Sequence, residues 1–167
     1  MWRSSTKRTS LLAAFALTTV LAVSADAAIA AEHDVFPAGT ACDFDLAVDI
    51  AGGHQVVHTF VDANGTTVRT LSTGVGSQLT FTNPSTNATI ALRSNGSVTN
   101  TVFNADGSQT ITLTGHNVLV LFPTDVPAGP STTLYVGRVV FTIGVDGQTF
   151  TLQSTSGTAT DICAALS

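Results

Sequence analysis

Phe44, Leu46, Val48 and Ile50 alternate with Asp43, Asp45, Ala47 and Asp49, the two-residue period of a strand with one apolar and one acidic face. Gly52-Gly53 ends this run. A hairpin is expected next, with strands 55–62 and 66–71 turning at Asn64-Gly65. Further strands are predicted over 79–82, 89–93, 97–103, 110–114, 118–122, 134–145 and 148–153. Asn95-Gly96, Asp106-Gly107 and Asp146-Gly147 supply turn chemistry, because these dipeptides tolerate the positive φ of two-residue hairpins. The run 118–122, Val-Leu-Val-Leu-Phe, is apolar on both faces and predicts a central strand covered on each side.

Residues 31–41 read as an irregular lead-in, and Pro123, Pro127, Gly129 and Pro130 mark the longest loop, 123–131. The tail from Thr160 to Leu166 predicts a short helix capped by Thr160. About ten strands without a helical period to cover a sheet point to an all-β fold. The expected architecture is a two-sheet antiparallel β-sandwich with a short C-terminal helix, and a β-barrel is the alternative. The Asx-Gly turns fall 31, 11 and 40 residues apart, too irregular for a solenoid.

The N-terminus changes the picture. Arg3, Lys7 and Arg8 precede an uncharged stretch, Leu11 to Val23, and Ala28-Ile29-Ala30 offers a small-x-small cleavage pattern. Residues 1–30 therefore read as a Sec-type signal peptide cleaved near Ala30, leaving one secreted domain, 31–167. An apolar stretch of this length spans about 20 Å as a helix, short of a hydrocarbon core of about 30 Å, so no membrane anchor is expected. Lys7-Arg8-Thr9 lacks a paired-arginine export motif, and Cys42 lies too far downstream for lipidation.

Without that leader the chain keeps three basic residues, Arg69, Arg93 and Arg138, against ten acidic ones, a net charge of −7 with no Lys. A basic groove for nucleic acid is excluded on this balance. Cys42 and Cys163 lie near the two ends of the secreted part, and an even pair in an exported chain predicts a disulfide.

Candidate chemistry is sparse. His54 and His58 are four apart, but in a β-rich segment that spacing is about 13 Å, too far to share an ion. His116, between Gly115 and Asn117, reads first as a structural histidine at a bend. A hydrolase acting on an extracellular polymer is the alternative, with His116 as base and Asp125 as acidic partner. No Gly-x-Ser-x-Gly elbow accompanies it. Asp43, Asp45 and Asp49 read as a solvated edge face, with a calcium-assisted lectin-like site as the other reading. A stacking sugar platform is disfavoured, since Tyr135 is the only Tyr or Trp downstream of the leader. The Thr-x-Thr pairs 80/82, 99/101, 110/112/114 and 149/151 evoke a water-ordering array, which the turn spacing opposes.

The stretch from Phe81-Thr-Asn-Pro-Ser through Gly115-His-Asn-Val-Leu-Val-Leu-Phe-Pro-Thr-Asp, with Val139-Val-Phe-Thr-Ile and Asp161-Ile-Cys, resembles small exported proteins of actinobacterial type. The resemblance implies a secreted, bacterial origin and carries no reaction, ligand or site. The expectation is a monomeric, non-catalytic extracellular binding or structural module without cofactor or metal. Its ligand region is sought at His116, Asn117, Asp125 and the 123–131 loop.

Overall fold

A computed structural model describes residues 25–28 and 32–167. The basic start, the apolar stretch and the bond after Ala30 lie outside the described residues. The elements are β1 Ala25–Ala28, β2 Glu32–Phe36, β3 Leu46–Ala51, β4 His54–Val61, β5 Thr67–Val75, β6 Gln78–Asn83, β7 Ala88–Arg93, β8 Val98–Phe103, β9 Gln109–Leu121, β10 Ser131–Ile143, β11 Phe150–Asp161 and helix α1 Ile162–Ala165. They form two antiparallel sheets, β1-β4-β5-β8-β9-β10-β11 and β2-β3-β6-β7. Downstream of the expected cleavage point these are ten strands, six and four, in a β-sandwich. No closed barrel forms, because the chain switches between two sheets that each keep their own edges.

The predicted alternation sets the core. Leu46 and Val48 are buried with Phe81, Ile162 and Leu166, and Phe44, Ile50, Ile90 and Leu92 pack around them. From the larger sheet, Val118, Val120 and Leu134 close this core. Leu119 and Leu121 point the other way, into a second cluster with Val139, Tyr135, Phe141, Phe150 and Leu152. The run 118–121 is covered on both faces, as its sequence requires.

Four expectations are corrected. The lead-in is not wholly irregular: Glu32–Phe36 pairs with β3, His33 opposite Asp49 and Phe36 opposite Leu46. Of Asp43, Asp45 and Asp49 only Asp49 lies in β3, and it is not on an edge, since β3 lies between β2 and β6. Strands 110–114 and 118–122 are one strand, β9, bent rather than broken at Gly115 (φ +88°). Helix α1 is capped by Asp161, whose carboxylate accepts the Ala164 N–H at 2.9 Å, and not by Thr160, which belongs to β11.

Three of the Asx-Gly turns make hairpins, β4–β5, β8–β9 and β10–β11. Their acids serve the turns. The Thr149 hydroxyl and amide and the Gln148 amide hold the Asp146 carboxyl down at about 2, and Ser108 lowers Asp106 likewise. Asn95-Gly96 differs: it carries the chain from β7 in the small sheet to β8 in the large one.

Cys42 and Cys163 form the predicted disulfide, with Cα atoms 5.6 Å apart across 121 residues of sequence. The bond is consistent with an extracellular location. No helix among the described residues is long and apolar enough to cross a membrane.

Candidate functional site

The Asn95-Gly96 crossing explains the segment 115–117. The Asn95 carbonyl accepts the His116 backbone N–H at 3.2 Å and lies 3.0 Å from His116 Nδ1. A carbonyl only accepts, so Nδ1 carries the proton. The Ser97 hydroxyl donates to Asn117 Oδ1 at 2.5 Å, and Asn117 Nδ2 donates to the Thr114 carbonyl at 2.9 Å. A Cβ on Gly115 would come within 2.2 Å of the Gly96 carbonyl oxygen. Residues 115–117 thus grip residues 95–97 and lock the sheet crossing in place.

Asn117 is only 7% exposed, so truncation strands buried polar groups. Asn117→Ala is expected to lower stability by about 1–3 kcal/mol, against about 1 kcal/mol or less for His116→Ala. Urea unfolding of the two variants checks the order.

Asp125 is not part of this grip. Six extended residues separate His116 from Phe122 by roughly 20 Å. Beyond that, the Asp125 carboxylate accepts the Phe122 N–H at 2.7 Å and is itself buried. The surrounding loop is fastened to β11: Val126 N–H reaches the Phe150 carbonyl and Leu152 N–H the Val126 carbonyl, at 3.0 and 2.7 Å. His116, Asn117 and Asp125 are therefore divided between a crossing and a loop anchor and do not converge on one concavity.

The acids of the first alternating run also go to separate tasks. Asp49 lies 2.6 Å from His33 Nδ1, and Asp45 accepts the Ala38 N–H. Asp43 lines a concavity of about 240 Å³ beside the disulfide, with Phe44, Ser131, Asp161 and Ser167. No group of three or more His, Cys, Asp or Glu suited to a metal occurs among the described residues. The Thr pairs are scattered too. Thr80 and Thr82 lie in the small sheet, while Thr99 and Thr101 share a face with Ile111 and Leu113, opposite Thr110, Thr112 and Thr114.

The surface that stands out was not flagged by any motif. Strands β4, β5 and β8 contribute no residue to either apolar cluster and contain no buried side chain. The large-sheet residues of the main core, Val118, Val120 and Leu134, come from β9 and β10, so these three strands form a wing outside both clusters whose side chains are exposed or half-buried. Among the described residues, the wing region also holds six of the nine exposed large hydrophobics: Phe60, Val61, Val68, Val75, Val102 and Phe103.

Five of the six gather at one end. Phe60, Arg69 and Val102 form a cross-strand row, with the Arg69 guanidinium 4.8 Å from the Phe60 ring centroid and its Nε donating to Asn100 Oδ1 at 2.7 Å. Thr59, Thr70 and Thr101 form a row on the opposite face. A legible signal existed in β4: neither alternate set, Val56/His58/Phe60 or Val57/Thr59/Val61, is uniformly apolar, as a core-facing set would be.

Between the wing and the Gly76 and Ser94–Ser97 crossings lies a cavity of about 50 Å³, lined by Ser72, Thr73, Ser77, Ser94, Ser97 and Thr99. That is room for water, far below the ~300–1,000 Å³ of a small-molecule pocket. Comparison of the chain with protein-family models, curated proteins and solved structures finds no match.

Proposed function

We propose that this is a secreted, non-catalytic bacterial module that works outside the cell by contact through the wing formed by β4, β5 and β8. The observation that carries the reading is the wing itself: three strands without one buried side chain, with exposed Phe and Val gathered at one end on both faces. Chains with an adequate core elsewhere do not ordinarily leave such a cluster in water unless something covers it. The residues around it, mainly Thr, Asn and Val with Arg69 as the one cation, suit a neutral partner better than an ionic one. An extended polymer fits a two-faced sheet without a deep pocket. The secreted location rests on the leader-like N-terminus and agrees with the Cys42–Cys163 disulfide.

The test is co-sedimentation of the secreted protein with insoluble polysaccharides and cell walls, with and without Ca²⁺. Retention is expected to be independent of Ca²⁺ and unchanged in His116→Ala. Joint Phe60→Ser and Val102→Ser replacement should weaken it at least about tenfold. Ca²⁺-dependent retention, or soluble fragments released by the wild type and not by His116→Ala, would overturn the reading.

A further inference from the structure

The outer strand of the wing, β4, takes an added strand in this structure. Residues Ala25–Ala28 pair with it antiparallel, Ala25 opposite Val57 and Ala28 opposite His54. Those residues belong to the leader expected to be removed after Ala30. Cleavage therefore takes β1 away and bares the edge of β4.

The other edges are protected. In the small sheet, β2 carries Glu32 and Asp34, and β7 is six residues long and ends in Arg93. In the large sheet, the start of β11 is bridged by Val126, and its outer half is bent at Gly157 (φ +98°) and ends in Asp161. Charges, short length, bends and covering loops are the ordinary means of preventing edge pairing. The sequence of β4, His-Gln-Val-Val-His-Thr-Phe-Val, has no Lys, Arg, Asp, Glu or Pro, and its one irregularity lies at Phe60/Val61.

We propose that leader removal creates a homodimer in which β4 pairs antiparallel with β4 of a second copy. With the two-fold axis at Val57, Val57 faces Val57 of the partner subunit, His54 faces Phe60 of the partner subunit and Gln55 faces Thr59 of the partner subunit. No like charges meet across this register, and the two large sheets become one of twelve strands. A two-fold contact of this kind closes on itself and stops at the dimer. The added strand uses backbone groups at the edge, whereas polymer contact uses side chains on the wing faces. The two readings therefore fail separately: a monomer that still binds polymer overturns the pairing alone.

The experiment is sedimentation equilibrium on the secreted, leader-free protein over a concentration series, with amide hydrogen exchange at high and low concentration. A mass twice that of chain 31–167 is expected, with slowed exchange confined to residues 54–61 in the dimer. Thr59→Lys, at an exposed position outside both apolar clusters, should weaken association at least about tenfold. Exchange on the wild type decides the matter even if that variant folds poorly. A monomer at every concentration, open-ended polymers, or a dimer whose β4 amides exchange as in the monomer would each overturn the proposal.

Discussion

Replacing Cys42 and Cys163 together by serine is expected to lower the unfolding free energy by about 4–5 kcal/mol. The loop they close spans 121 residues, and chain-entropy arguments make long closures the most stabilising. The bond also does local work. Cys42 is 1% exposed within the main core, and Cys163 pins the short helix that places Ile162 and Leu166 there, at 1% and 0% exposure. Around it, the Thr132 hydroxyl donates to the Ala41 carbonyl at 2.9 Å, and Asn83 Nδ2 to the Leu166 carbonyl at 3.1 Å. A four-residue helix does not hold itself together in water, so release of the bridge should free the whole C-terminal plug. Urea unfolding of the double variant beside the wild type measures this. A loss below about 1 kcal/mol would mean that packing alone holds the chain ends.

Gly115→Ala is expected to cost about 3 kcal/mol or more. Two effects add: the backbone sits at φ +88°, and the new Cβ would lie 2.2 Å from the Gly96 carbonyl oxygen. Gly107→Ala separates them. Its φ is +89°, but the nearest atom to its Cβ would be Val145 Cγ1 at 3.8 Å. That control should lose only about 1–2 kcal/mol. Equal losses in the two variants would show that the close approach of the crossing to β9 is not a structural requirement.

Legibility in the sequence followed cover. Where one face of a strand meets the core, as in β3, alternation named the buried residues Leu46 and Val48. Where both faces are covered, the continuous run 118–121 announced it. The disulfide was readable from redox context and position. The edge strand β2 was not, because a five-residue strand with charges at Glu32 and Asp34 has too few apolar positions to show a period. At Gly115 the sequence permits a break as well as a bend, and only the pairing of β9 with β10 decides.

The partners of the candidate site residues were hidden for a related reason. Gly115-His116-Asn117 places polar residues beside a bend, yet their partners, Asn95 and Ser97, are determined by how the chain crosses between sheets. No local pattern encodes that crossing. The wing is not legible in the strand pattern of the sequence, because alternation identifies strands without saying whether a second layer lies over them. Its sign was the mixing of Thr, His and Val on both faces of β4.

The proposed contact surface is the wing, while His116 and Asn117 hold the fold together. The most direct test is the backbone amide spectrum of the ¹⁵N-labelled secreted protein, followed as a polymer fragment retained in co-sedimentation is added. Shifts should concentrate at Phe60, Val61, Val68, Arg69, Val102 and Phe103, with His116, Asn117 and Asp125 unmoved. Shifts centred on His116 and Asp125 with the wing silent would contradict the account.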